Sequence, residues 1–319
     1  LNKRKAKALS LKKSYLLLFW PYTLLVLFTL LFSSCGAEKK NPVDSSEDWI
    51  SLFNGKDLSG WDIKIAGYEL NDNYKNTFVV EDSMIRIKYD AYEAFNDAFG
   101  HMYYKQPYSY YKLRFKYRFV GEQLNGGASW NVRNSGVMLH SQSALSNELG
   151  QGFPVSVEMQ LLGGLDQGER TTGNVCTPGT AVEMEGEPNY DHCISSTSKT
   201  YHGDQWVRAE AVVHGGEHMY FIIEKDTVLG FENPQIGGGF ISKDQEGNDW
   251  EAFHIKRDKE SWLAREGEVL KEGYIALQAE SHPIDFKEIE LLNLCGCMDP
   301  EAKNFKTYYI KNIPEECLY

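Results

Sequence analysis

The chain has 319 residues, 42% hydrophobic and 24% charged, a balance that argues against intrinsic disorder and supplies one large domain or two small ones. Its net charge is −12, and six of the 33 Lys and Arg residues lie within Lys3–Lys13, which leaves 27 basic against 45 acidic side chains downstream. Such a body is a poor match for nucleic acid, whose phosphates are bound by clustered cations.

Lys3, Arg4, Lys5, Lys7, Lys12 and Lys13 precede an apolar run from Tyr15 to Phe32, and Ser33 and Ser34 lead into Cys35-Gly36. That order makes residues 1–34 a signal peptide. Phe32-Ser33-Ser34-Cys35 resembles a relaxed bacterial lipobox, which implies lipidation of Cys35 and attachment to a cell-envelope membrane, in the periplasm or at the outer membrane. The run is also long enough for an uncleaved anchor. Residues 35–48 are polar, without apolar period, and are expected to form a tether. In an exported body disulfides persist, so the remaining cysteines are expected to pair as Cys176–Cys193 and Cys297–Cys317, leaving Cys295 over. The alternative, a zinc site at Cys295 and Cys297, lacks the usual spacing and a nearby His.

From Trp49 onward, short stretches of period-two alternation are punctuated by Gly, Asn and Asp, which predicts an all-β sandwich of two antiparallel sheets. Strands are expected at Phe78–Ile87, Tyr110–Phe119, Gly136–His140, Val155–Leu162, Trp206–Val213, Met219–Lys225, Tyr274–Ala279 and Ile284–Leu292. Asp90–Gly100 fits a short helix or a loop equally. His214-Gly215-Gly216-Glu217-His218 has two His four apart, but its paired glycines predict a hairpin turn rather than a metal-binding helix.

Four pieces in order carry a likeness: Leu52-Phe53-Asn54-Gly55-Lys56-Asp57-Leu58-Ser59-Gly60-Trp61, then Asn134-Ser135-Gly136-Val137, then Glu158-Met159-Gln160-Leu161, then Gly273–Gln278 with Asp285–Ile289. Together they resemble the 3-keto-disaccharide hydrolase family over roughly residues 49–294. The resemblance implies a concanavalin-like jelly roll that cleaves glycosides oxidised to a ketone at carbon 3. A separate oxidoreductase would then supply the ketone, since no dinucleotide-binding G-x-G-x-x-G occurs here. The segment Leu165–Lys199 is an insert outside the family's common core. Residues 295–319 are similar to a small disulfide-closed module found at the ends of secreted bacterial proteins.

Alternation places Ser156, Glu158 and Gln160 on one face of their strand, and Gln278, Glu280 and His282 on one face of theirs. If its strand is regular, Asn134, Gly136, Met138 and His140 share a face as well. A conventional glycosidase needs two carboxyl groups flanking the bond, and the strand at Glu158 lacks the Glu-x-Asp-x-x-Glu pattern of sandwich glycanases. A 3-ketone instead acidifies the C2 proton, so that one base and an oxyanion stabiliser suffice for elimination of the C1 substituent. Glu158 or His140 is the expected base, Arg133 or His282 the oxyanion stabiliser, and Asn134, Ser135, Gln160, Gln278 and Glu280 the hydroxyl-binding set. Asp191-His192 and Tyr201-His202 are candidates for the rim. A divalent cation such as calcium would suit the fold class, although no contiguous calcium motif is present. The second reading, behind the enzyme, is a non-catalytic carbohydrate-binding lipoprotein that uses the same groove.

Overall fold

In β6, Tyr110–Phe119, every second side chain (Tyr111, Leu113, Phe115, Tyr117, Phe119) is buried, while Lys112, Arg114, Lys116 and Arg118 face out. That period of two dictates a sheet with one dry face. The computed structural model describes residues 46–238 and 255–319, all within the unit Pro42–Tyr319. The leader, Cys35 and most of the tether lie outside the described residues. Among the described residues no helix is long and apolar enough to cross a membrane.

The chain forms a jelly-roll sandwich. One sheet has ten strands: β1 (Ile50–Ser51), β3 (Phe78–Glu81), β4 (Met84–Ile87), β6, β10 (Thr180–Met184), β11 (Glu187–Asn189), β13 (Val207–His214), β14 (His218–Ile223), β15 (Asp226–Ile236) and β17 (Ile284–Asn293). Its order is β11-β10-β15-β14-β13-β6-β17-β4-β3, with β1 paired to β17. The other sheet has seven strands: β2 (Trp61–Ile65), β5 (Gly100–Tyr104), β7 (Asn134–Ser141), β8 (Val157–Leu162), β9 (Asn174–Cys176), β12 (Cys193–Ile194) and β16 (Tyr274–Ala279), ordered β12-β9-β8-β7-β16-β5-β2. Both are antiparallel, and their inner faces share one core that includes Val137, Val157, Met159, Leu161, Leu277, Phe115, Phe221 and Phe286.

The outer face of the ten-stranded sheet carries cross-strand ion pairs. Asp285 takes Arg118 at 2.8 Å and Arg86 at 3.6 Å, and Arg114 meets Glu290 at 2.7 Å. The outer face of the seven-stranded sheet has no such lattice, and loops close over it instead.

Several expected elements are adjusted. Phe78–Ile87 is two strands, because Asp82 and Ser83 adopt positive φ (51° and 57°) and turn the chain back on itself. Asp90–Gly100 is a run of turns that ends as β5 begins, not a helix. One short helix that alternation gave no hint of, α1 (Lys259–Ala264), follows the undescribed segment. The insert Leu165–Lys199 extends both sheets: β9 and β12 add to one, β10 and β11 to the other. Cys176–Cys193 bridges β9 to β12, Cys297–Cys317 closes the tail, and Cys295 is free. His214 and His218 face each other across the β13–β14 hairpin. The tail pairs β18 (Cys295–Gly296) with β19 (Lys311–Asn312) and packs on the sandwich through Leu292, Leu294, Tyr110, Trp49 and Tyr308.

Candidate active site

A cavity of about 740 Å³ opens on the outer face of the seven-stranded sheet, at the end where β7 begins and β8 and β16 finish. Its floor is made by alternation. With Val157, Met159 and Leu161 in the core, Glu158 and Gln160 turn outward, and Asn134 does the same at the start of β7. Glu280 directly follows β16 and enters from the next strand across.

Met138 pairs with Glu158 and Gly136 with Gln160, yet the Glu158 carboxyl leans across so that it occupies the space a Gly136 side chain would fill. A Cβ at position 136 would fall well inside contact distance of Glu158 Oε1. Gly136→Ala is therefore expected to displace Glu158 and to cost about 1–3 kcal/mol of stability by overpacking, checked by urea unfolding alongside turnover.

Glu158 and Glu280 are both buried, 5% and 2% exposed. Loss of water raises both carboxyl pKa values, that of Glu158 to about 8, and the charge of Glu158 pushes Glu280 further up. Two buried carboxyls in mutual electrostatic reach cannot both ionise, so the pair retains a proton at neutral pH. Opposing this, the Arg170 guanidinium draws the pKa of Glu280 down. Arg170 itself is anchored on main-chain carbonyls: its Nη1 donates to Val132 O at 2.6 Å and Gly163 O at 3.0 Å, and its Nη2 to Trp130 O at 3.3 Å. It thereby ties the turn that carries Trp130 to the end of β8. Asn134 Oδ1 and Glu280 Oε2 are buried without a hydrogen-bond partner in the protein, so a ligand or water must satisfy them. Gln160 Oε1 accepts from Asn174 Nδ2 at 3.0 Å.

The walls are aromatic and sulfur-rich. Phe99 stands just before β5, Trp130 sits on the turn Ser129–Asn131, and Phe153 comes from the loop between β7 and β8. That loop is pinned by Gln142, whose Oε1 accepts from Gln151 Nε2 at 3.0 Å and Val155 N at 2.7 Å. Asp97, His192 and the Cys176–Cys193 disulfide also line it.

The cavity thus gathers Glu158, Asn134, Gln160, Glu280 and the rim candidate His192, but it does not gather the other expected residues. His140 has positive φ (47°), and a register shift against β16 breaks the alternation there. Its ring turns inward, with Nε2 on Gly215 O at 3.0 Å, and lies 6.2 Å from Tyr111. His282 is reversed in the same way by Ser281 (φ 71°) and packs edge-on to Phe119 at 5.6 Å. Arg133, also at positive φ (46°), directs its guanidinium to Asp204 at 3.0 Å and Gly203 O at 2.9 Å. Ser135 faces inward and donates to Gln278 O at 2.8 Å, so its hydroxyl is committed to the sheet. Gln278 faces outward but is wholly covered, paired in register with His101. Arg170, Asp97, Phe99, Trp130 and Phe153 were absent from the sequence-based set. They sit in connections, where no period marks them.

Among the described residues no group of three or more His, Cys, Asp or Glu side chains is arranged to hold a metal ion.

A jelly-roll sandwich whose outer sheet face holds a buried acid pair among aromatic walls has the anatomy of a carbohydrate-active protein. The chain belongs to the family of the 3-keto-alpha-glucoside-1,2-lyase-like domain, whose model matches residues 48–292. Two solved structures from Parabacteroides distasonis ATCC 8503, both provisionally described as glycosyl hydrolases, are similar to it at 17% and 16% identity. They cover 77% of this chain each, and 99% and 93% of their own, with TM-scores of 0.44 and 0.42. The carbohydrate-binding module CBM66 from Bacillus subtilis is similar at 8% identity, covering 73% of this chain and 96% of its own, with a TM-score of 0.39. No curated protein matches the sequence.

Proposed function

We propose that the protein cleaves 3-keto-glycosides by elimination, with Glu158 as the base at C2 and Glu280 as the acid at the leaving oxygen. The two carboxyls Glu158 and Glu280, both buried and both lining the same cavity, carry this reading. A base that must take a proton from carbon gains from a pKa raised toward neutrality, and an acid must hold its proton at working pH. Burial provides both conditions at once.

In the proposed sequence, the Glu158 carboxylate removes the C2 proton, and charge passes to the C3 carbonyl oxygen as an enolate. The positive charge of Arg170 in the cavity wall stabilises that oxyanion. The enolate then collapses to form the C1–C2 double bond as the C1–O bond breaks, and Glu280 delivers a proton to the departing oxygen. Water adding to C1 afterwards completes net hydrolysis. Asn134 and Gln160 receive hydroxyls of the sugar ring, and Asn134 Oδ1 has no partner until they do. The substrate ketone has to come from an oxidoreductase acting earlier on the same glycoside.

The test is to incubate the protein with matched glucosides and their 3-keto derivatives in D₂O. Release confined to the 3-keto form, with deuterium appearing at C2 of recovered substrate or product, is the expected outcome. Release from the unoxidised glucoside at a comparable rate would overturn the elimination. Binding of both without release would make the cavity a lectin site.

A further inference from the structure

We infer that Phe99, Trp130 and Phe153 form a subsite for the leaving group, and that this subsite is built for a flat aromatic aglycone rather than a second sugar. The inference rests on the elimination proposed above and adds the substrate class.

The polar groups of the cavity are not spread evenly. Asn134, Glu158, Gln160 and Glu280 come from β7, β8 and the end of β16, which together form the floor. Ala279 pairs with Gly100, so Glu280 and Phe99 leave the β16–β5 pair at the same end. Beyond Phe99 the wall is continuous: Phe99 lies 4.7 Å from Phe153 and 6.3 Å from Trp130, ring centre to ring centre. The planes of Phe99 and Trp130 are within 9° of parallel and Trp130 is 54% exposed, so a flat ring laid on the open face of Trp130 continues the stack. Phe99 and Phe153 offer no hydrogen-bonding group. A pyranose can lie on such rings through its C–H face, but its equatorial hydroxyls then run along a wall whose Phe99 and Phe153 side chains give them no partner, whereas a phenol-type ring needs none. A cavity of about 740 Å³ is of the size that encloses a ligand of several rings.

The geometry also orders the site along the substrate. Glu280 stands between the polar floor and the aromatic wall, where the glycosidic oxygen of a glycoside spanning the two would fall. Trp130 is 54% exposed, and its main-chain carbonyl rather than its indole holds the turn to Arg170. Truncating the indole therefore leaves that anchor in place.

The experiment has two arms. In the binding arm, phenyl and methyl glucosides are titrated into the wild-type protein and into Trp130→Ala and Phe153→Ala. The phenyl glucoside is expected to bind at least about tenfold more tightly than the methyl glucoside in the wild type, and each variant is expected to lose most of that ratio. In the turnover arm, kcat/KM is compared between a 3-keto aryl glucoside and a 3-keto disaccharide of the same anomeric configuration, and the aryl preference is expected to fall about tenfold in Trp130→Ala. Equal binding of phenyl and methyl glucosides, or a loss that is the same for both substrates, would overturn the aromatic subsite. Absence of turnover on either 3-keto substrate, with the phenyl preference intact, would remove the elimination and leave the subsite standing.

Discussion

Glu158→Gln is expected to lower kcat on 3-keto-glycosides by about 10²–10⁴-fold while substrate binding persists, the usual size of the loss when a positioned general base is removed. The substitution is close to isosteric, so the carboxamide still fills the space over Gly136. It removes the group that can accept the C2 proton and also the charge that raises Glu280. Deuterium exchange at C2 should disappear together with product release, because both need the same proton transfer. Glu280→Gln should behave differently. Its cost falls on departure of the leaving group, so it should be small for an aryl glycoside with an acidic phenol and large for an alkyl one. Full retention of C2 exchange in Glu158→Gln would show that another group is the base.

The second large effect is on stability, and its sign follows from the direction of each shift. The carboxyl of Glu158 is raised from 4.5 to about 8, so the folded state holds a proton that the unfolded chain has released. Stability from this group is complete below pH 4.5 and is lost as pH rises toward 8, with Glu280 acting in the same direction. Three buried histidines act oppositely. Burial holds His101 at about 3 and His140 and His282 at about 4, against 6.5 when free, so they withdraw stability as pH falls below 6.5. Above pH 6.5 the unfolded histidines finish losing their protons and return a smaller part of that stability, a change that Glu158→Gln shares with the wild type. Between pH 6.5 and 8 the wild-type protein should lose about 2 kcal/mol through Glu158 on top of the loss through Glu280, and Glu158→Gln should be spared the Glu158 part. Urea unfolding of both proteins at the two pH values decides this, and parallel losses would show that Glu158 is not raised.

The sandwich and much of the cavity floor are legible in the sequence, for one reason. Where strands are regular, period two determines which side chains face out, and Glu158, Gln160 and Glu280 follow it. The same rule misplaces His140 and His282, because one residue in the left-handed region at or beside each reverses the alternation. None of the residues at these reversals is glycine: they are Arg133, His140 and Ser281, so composition gives no sign of them. The turn at Asp82-Ser83 is hidden for the same reason, since neither residue is the glycine that usually marks such a bend. The second carboxylate was visible only as a residue on the outward face. Its partnership with Glu158, 122 positions earlier in the chain, depends on β16 and β8 flanking β7 in space. Arg170 and the aromatic wall belong to connections, and only tertiary structure gives them a role.

The attachment of the two chain ends has a mechanical consequence. β1 pairs with β17 at Ile50–Leu291 and Ser51–Glu290, and the tail returns to clasp Asp48 through Lys306 at 3.0 Å and Tyr308 at 3.1 Å. These fastenings gather near Tyr110, where β6 begins and β17 ends. The cavity lies on the opposite sheet, over the outward faces of β7 and β8. A pull arriving through the chain ahead of Ser46 is taken up by the β1–β17 pair and the Asp48 clasp. The load therefore enters the ten-stranded sheet at the end of β17, whereas Glu158 is carried by β8 in the other sheet.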